Sequence, residues 1–472
     1  MSTTSEKRSK PDDNDIMDLI DGAVSVDAVT TETFKRHLEF LQQCFLINQD
    51  HRNKFANTPE KFMESEMELV EELERFRTVA TDLSLIPLLN SSPDWIHIIL
   101  DLLDHPNTDV TEMVVSLLDE VSEIDEAMTV EDIENLKKLF KNLIQQNLMI
   151  KLLTNVRRYK TGEFEGISEA LEMIENLADL DPSILNSIDW KDWSNYLADL
   201  LYDRSSASPL SRQYGAELTA ILLRASAKFK STFLSDPYGL DKVLASAAHF
   251  KASGDPQDAD EIEYFENLFD IICDSVLDSG GLEIFLTCSG IDLMLMMLTE
   301  KTMCRIRAIK VISFSLSNPS TTGKVANIIV ESNGLRILSP LLLRQGEKSL
   351  QKAFPKYFSP AQDVEFICSI FVSLIRFCDP ENSCRVFSKL SDKLQDRLGK
   401  LIDLHRLYSN SPTEETVYAL EQVHLMCCHL RQHFPEIVIE PDVVTAINTT
   451  ILALAEDTNE QEQAYLKRLL LQ

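Results

Sequence analysis

The chain has 472 residues, 44% of them apolar, and sets 45 Lys+Arg against 76 Asp+Glu, a formal charge of −31. That composition can fill a core, so wholesale disorder is excluded. The charge argues against a binder of duplex DNA or of an anionic membrane surface, both of which need cations of their own, and it admits a basic partner drawn in by the summed field.

Residues 1–30 read as a disordered N-terminal tail that is polar and acidic and offers no signal peptide. A short basic cluster, Lys7, Arg8 and Lys10, precedes Pro11 and has the composition of a brief nuclear address. From residue 31 the pattern is helical almost throughout: glycines number only 13, and no apolar–polar alternation is long enough for a sheet. Residues 31–90 are expected to form N-terminal capping helices. Within them, KFANTPEKFMESEMELVEEL (54–73) holds six glutamates between positions 60 and 73. Thr58 is placed to cap a helix, Pro59 suits its first position and Glu60 its electropositive first turn. Met63, Met67, Val70, Leu73 and Phe76 recur at steps of four and three, which predicts one buried stripe with the glutamates outside it. The acidic face then closes an array as a polar cap or offers a second dock for a basic partner; the burial stripe favours the cap.

Residues 91–400 carry a repeat: a short apolar helix, often led by glycine, then a loop and a longer apolar helix. Glycine-led helices start at Gly239, Gly290 and Gly334, spaced 51 (290 − 239) and 44 (334 − 290) residues apart. Residues 95–124 show the same two helices without the glycine. The longer helices, 170–180, 215–226, 264–277, 308–318, 365–377 and 421–434, are apolar nearly all round, so each needs neighbours on both sides. The expectation is an all-α armadillo/HEAT-type α-solenoid, a right-handed superhelix of stacked helical repeats, with residues 401–472 as a C-terminal helical region. The connection 344–363 is long but carries Phe354, Tyr357 and Phe358, so it is expected to pack rather than hang free.

No nucleotide loop, hydrolase elbow or zinc-protease helix occurs, and with 76 carboxylates an acid pair is expected by chance. No catalytic residue, cofactor or metal is assigned, and an enzyme is not expected. HLMCCHLRQH (424–433) invites a metal reading, but His424, Cys427 and Cys428 lie on one helical face and His429 and His433 on another. A buried helix rich in small soft residues explains it better. Nine cysteines with no C-x-x-C spacing read as reduced thiols of an intracellular chain.

The stretches KFANTPEKFMESEMEL (54–69), LLDHPNTDVTEMVVSLLDEVSEID (102–125), MIENLAD (173–179) and ENLFDIICDSVL (266–277) together resemble the β-catenin-like protein 1 family, in order and without large gaps over about residues 34–440. Where members of that family often carry a longer charged extension, this chain has EKRSKPDDND (6–15). The resemblance implies a nuclear, spliceosome-associated armadillo protein of the nineteen complex. It also implies a scaffold that holds basic, nuclear-localisation-like segments of partners, notably the Myb-type splicing factor of that complex. A nuclear-import adaptor of karyopherin-α type is the alternative; it needs repeated tryptophan–asparagine pairs, and the chain has three tryptophans.

In an armadillo array the longer helices line the groove. Asn176 and Asn267 match the asparagine of the family motif, whose amide both donates to and accepts from an extended peptide backbone. Glu120 falls at the matching place in its own helix, and Arg224 and Arg376 in theirs, where they interrupt the pattern. Glu123, Asp179, Asp270 and Asp274 follow at steps of three and seven down the same faces. The expected groove therefore comprises Glu120, Glu123, Asn176, Asp179, Asn267, Asp270 and Asp274, amides for the partner's backbone and carboxylates for its cations.

Overall fold

The computed structural model describes residues 31–77, 85–91, 93–125, 128–159, 164–205, 207–456 and 458–471; Lys7, Arg8 and Lys10 lie outside them. Among the described residues the regular structure is helical, without strands. The chain divides into two compact units, Met1–Ile184 and Leu185–Gln472, a boundary that falls inside the stretch expected as one array.

The first unit contains α1 (Thr31–Lys54), α2 (Met63–Phe76), α3 (Ile86–Ser91), α4 (Pro93–Leu102), α5 (Thr108–Ser122), α6 (Val130–Gln145), α7 (Leu148–Arg158) and α8 (Phe164–Leu180). Helix α1 packs along α2, and α2, α5 and α8 follow one another as a row of neighbours. A ring stack of Phe34, Phe76 and Trp95, with centroids 5.5 and 6.3 Å apart, ties α1, α2 and α4 together.

The glutamate-rich stretch differs from its expected form. Residues 59–61 make a 3₁₀ turn, Thr58 makes no side-chain cap, and α2 begins at Met63. Met63 and Met67 are exposed, while the buried face is Ser65, Leu69, Glu72, Leu73 and Phe76. Two glutamates therefore point inward. Glu72 accepts from Arg75 (3.1 Å) and lies 2.7 Å from His37 Nδ1 of α1. Glu66 accepts from Arg52 Nε of α1 (2.7 Å) and from Asn107 Nδ2 (2.7 Å), whose own Oδ1 caps α5. A carboxylate taken out of water needs such partners, so part of the negative charge is structural.

The second unit contains α9 (Lys191–Tyr202), α10 (Pro209–Ala225), α11 (Ala227–Phe233), α12 (Tyr238–Ser253), α13 (Ala259–Leu277), α14 (Ser279–Thr287), α15 (Gly290–Met297), α16 (Met303–Ser315), α17 (Thr322–Glu331), α18 (Gly334–Leu338), α19 (Glu347–Ala353), α20 (Pro360–Phe377), α21 (Pro380–Ser391), α22 (Leu394–Asn410), α23 (Glu414–His433), α24 (Pro441–Glu456) and α25 (Glu460–Arg468). The longer helices α10, α13, α16, α20 and α23 pack each on the next, as stacking repeats require. Their starts are capped by Ser208, Asp258, Ser359 and Thr413, each accepting a backbone N–H of the first turn, except that Thr302 before α16 makes no such bond. Among the described residues no single helix is long and apolar enough to cross a membrane; the apolar α14 and α15 form a pair bent by 73°.

The repeat has a backbone signature. Asn147, Ser289, Asn333 and Lys393 all adopt left-handed φ of 57–72° immediately before α7, α15, α18 and α22. Two of these turns are followed by glycine because the preceding helix presses on the site. A Cβ on Gly290 would stand 2.2 Å from the Phe285 ring, and one on Gly334 would stand 2.5 Å from the Ile329 carbonyl oxygen. The 344–363 connection packs as expected, with Phe358 buried against Ile306 and Leu350 and Phe354 beside them, but it also contains α19. It closes over a buried triad that sequence reasoning missed: Asp363 accepts from Arg305 Nη2 (3.2 Å) and from Arg344 Nη1 (2.7 Å).

Candidate functional site

The seven expected groove residues divide between the two units, three of them along α13 of the second. In the first unit Glu120 lies near the end of α5 and its carboxylate pairs with Arg77, so it is engaged within the chain. Helix α5 stops at Ser122, and Glu123 is the exposed residue that follows it in extended backbone. Helical spacing from Glu120 therefore does not reach it. Asn176, on α8, is partly exposed, and its amide donates to Asp119 Oδ1 (3.2 Å) and Ser122 Oγ (2.9 Å) of α5. Asp179 is exposed one turn further on.

The residue that sequence reasoning missed is Asp119, one position before the expected Glu120. It is 7% exposed. Burial, then Glu172, Glu169 and Glu123, push its carboxyl from the ordinary 3.8 up to about 8, and no cation stands among the groups acting on it. The Asn176 amide satisfies one oxygen without neutralising it. A carboxyl of this kind gains more from an incoming cation than an exposed one does, because the cation removes both the desolvation and the like-charge penalty.

The second unit places Asn267, Asp270 and Asp274 along α13, as the spacing predicts. Asn267 is partly exposed. The two aspartates are not open, however. Asp270 Oδ1 lies 3.4 Å from Lys310 Nζ of α16. Asp274 Oδ2 lies 3.1 Å from Arg224 Nε of α10, whose N–H donates to the Ala220 carbonyl, so the contact is charge pairing rather than a hydrogen bond. Burial still holds the Asp274 carboxyl above its ordinary range, with Arg224 opposing the shift. Glu266, a further acid of α13, pairs with Arg307 of α16. Arg376 on α20 donates to both oxygens of Glu462 on α25 (2.9 and 2.8 Å) and stacks over Tyr465, 3.7 Å from the ring centroid. Arg224 and Arg376 thus interrupt the groove by consuming acids.

Among the described residues no group of three or more His, Cys, Asp or Glu is placed to hold a metal ion. The histidines of α23 go elsewhere. His424 lies 2.9 Å from His405 Nδ1 and 2.9 Å from Thr450 Oγ1, His429 lies 2.6 Å from the Tyr465 hydroxyl, and His433 stacks on Phe387. Burial pushes the Cys428 thiol up to about 12 and that of Cys427 in the same direction, so neither offers a thiolate. Trp95, Trp190 and Trp193 are fully buried, which leaves no tryptophan to face a peptide.

Comparison with known proteins fits this architecture. The family model described as "Catenin-beta-like, Arm-motif containing nuclear" matches residues 14–424. Beta-catenin-like protein 1 of Mus musculus is 31% identical over 364 residues, 76% of this chain and 63% of the relative, so the match spans less than two thirds of that protein. The beta-catenin-like protein 1 homolog of Schizosaccharomyces pombe is 30% identical over 444 residues, 88% of this chain and 74% of the relative. The solved structure of Uso1-2 superposes with a TM-score of 0.51 at 12% identity, covering 92% of this chain and 65% of that one, a likeness of fold alone. With the family matched over most of its length and the helices stacked as armadillo repeats demand, the chain belongs to the catenin-beta-like, Arm-motif family.

Proposed function

We propose that this chain is a non-enzymatic scaffold that holds basic segments of partner proteins, and that it does so in the nucleus within the pre-mRNA splicing machinery, among factors of the nineteen complex. Membership of an Arm-motif family supports the scaffold, and the word "nuclear" in the family's description supports the location. The observation that carries the binding mode is the face of α5 and α8: buried Asp119, the Asn176 amide beside it, and Glu172, Glu169 and Glu123 acting on the same charge. A lysine or arginine side chain set against Asp119 completes an ion pair, while exposed Asp179 and Glu123 extend the negative field along the segment. The second unit contributes less to cation binding, because its row closes its own ion pairs.

The test titrates a fluorescent Lys/Arg-rich peptide into the full chain at low and high salt, with Asp119→Ala and Asn176→Ala beside wild type. Loss of one partner of a buried charge pair weakens binding by about 2–5 kcal/mol, at least roughly 30-fold, and salt weakens what remains. Equal binding by all three proteins refutes the site. Pull-downs from nuclear extract with the same variants then test the splicing role: it fails if wild type recovers no splicing factor.

A further inference from the structure

In the second unit, helix α25 walls one side of a cavity of about 870 Å³ whose other walls come from α20, α21, α23 and the end of α16. The body of the unit lines it with Leu316, Phe377, Phe387, Arg376, Gln432 and His433. Among the described residues that line it, Glu462 of α25 is the sole carboxylate. Helix α25 packs along α24, and of its nine residues only Leu466 is buried. Leu469 and Leu471, which follow the helix, are buried as well. Toward α20 and α23, across the cavity, α25 reaches with polar side chains.

These contacts hold α25 as a receptor holds a peptide. The Arg376 fork meets both oxygens of Glu462 (2.9 and 2.8 Å), and the ring of Tyr465, one turn on, lies against the same guanidinium. The Tyr465 hydroxyl bonds His429 Nε2 (2.6 Å); burial and Arg376 push His429 down to about 4, so the neutral ring accepts. Gln432 Nε2 donates to the Arg468 carbonyl (2.6 Å). Asn448 of α24 donates to the Leu471 carbonyl (2.9 Å) and accepts from its N–H (2.8 Å), so one amide reads both backbone groups of a residue beyond the helix. Arg376 is largely buried, and an arginine does not shed its proton. With α25 gone, that guanidinium needs another carboxylate.

We propose that α25 is a detachable strap, and that the surface it covers docks an acidic helical segment of a partner protein. The strap itself displays the recognition pattern: Glu462, Tyr465 three residues later on the same face, then Leu466 and Leu469. The acid pairs with the Arg376 fork, the aromatic ring stacks on it, and Gln432 and Asn448 hold the backbone that follows. The tether back to α24 is only residues 457–459, so the strap competes at an effective concentration of about millimolar, and the closed chain shows a partner a reduced affinity. The site selects the opposite charge to the α5–α8 face, shares no residue with it and does not depend on the function proposed there.

The experiment uses the full chain and a fluorescent peptide with the sequence of residues 458–472. Hydrogen exchange is read first in wild type, where 460–471 should exchange at least about 10-fold faster than α23. Equal protection of the two overturns the strap. Glu462→Lys loosens the strap and leaves Arg376 in place. It should speed exchange in 460–471 while α23 stays protected, and should bind the peptide at least about 10-fold more tightly than wild type does. The gain should vanish for a peptide carrying the same Glu462→Lys change, and for the chain with Arg376→Ala added. Binding no tighter than that of a scrambled peptide, once 460–471 is released, overturns the docking surface and leaves α25 a terminal cap. If Glu462→Lys disturbs α23, Tyr465→Phe, which removes only the bond to His429, takes its place under the same criteria. A concentration-dependent dimer of wild type by light scattering, lost in Arg376→Ala, assigns the surface to a second copy and overturns the partner reading.

Discussion

If a cation completes the site at Asp119, binding must expel a proton. The carboxyl sits at about 8 rather than 3.8, so below that pH it is protonated in the unoccupied chain, and a docked guanidinium requires the carboxylate. Affinity for a basic peptide is therefore expected to rise with pH, with a slope approaching one decade per unit below about pH 8, and to flatten above it. A shift of this size corresponds to about 5–6 kcal/mol between the two protonation states. Solvent reaching the carboxyl edge screens part of that, leaving about 2–3 kcal/mol, or roughly 30–150-fold in affinity, for an incoming cation to recover. The folding term has the opposite sign. The folded pKa is raised, so the group's contribution to stability is complete below about pH 4 and is lost as pH rises through about 8. Asp119→Asn cannot ionise; it should bind weakly at every pH, and its stability relative to wild type should rise from about pH 4 and level off above about pH 8. Fluorescence anisotropy from about pH 6 to about pH 9 at constant ionic strength, beside urea unfolding over the same range, reads both. A flat affinity in wild type, or the same slope in Asp119→Asn, refutes the reasoning.

Two structural predictions accompany it. Gly334→Ala places a methyl 2.5 Å from the Ile329 carbonyl oxygen and 2.7 Å from its Cγ2. It should cost about 1–3 kcal/mol, read as a lower urea midpoint at unchanged slope. Asp363→Asn leaves Arg305 and Arg344, both nearly fully buried, without their shared carboxylate. A loss of about 3–5 kcal/mol is expected by the same measurement; a loss below about 1 kcal/mol would show that water already shares the load.

What was readable in the sequence followed from local chemistry. The longer helices were found because their all-round apolar patterns are long, and they begin where Ser208, Asp258, Ser359 and Thr413 cap them. The misses came where tertiary contacts decide. Met63 and Met67 continue the α2 stripe in sequence, yet α1 packs on the side of Glu72 and Leu73, so the methionines stay in solvent. Asp119 and Glu120 are adjacent acids, and only the position of α8 selects the first for Asn176 and burial, while Arg77 takes the second. The left-handed turns at Asn147 and Lys393 escaped because α7 and α22 begin with leucine, so the glycine that marked the others is missing.

The two units also show why net charge is a poor guide to where a basic segment can lie. In the second, the stacking that builds the row brings each longer helix beside the next, so a cation on one reaches an acid on another some 40–50 positions away in sequence: Arg224 to Asp274, Lys310 to Asp270. Each such pair removes a carboxylate from the surface that a partner could use. In the first unit the corresponding bridge is Asn176, which links Asp119 and Ser122 by donating hydrogen bonds and adds no charge. The amide holds two neighbouring helices in register, as an arginine would, and leaves the Asp119 carboxyl without a cation. Asparagine at that place in an armadillo helix thus has a structural reason alongside its capacity to meet a peptide backbone, and the choice between asparagine and arginine there decides which repeats remain receptive to a cation.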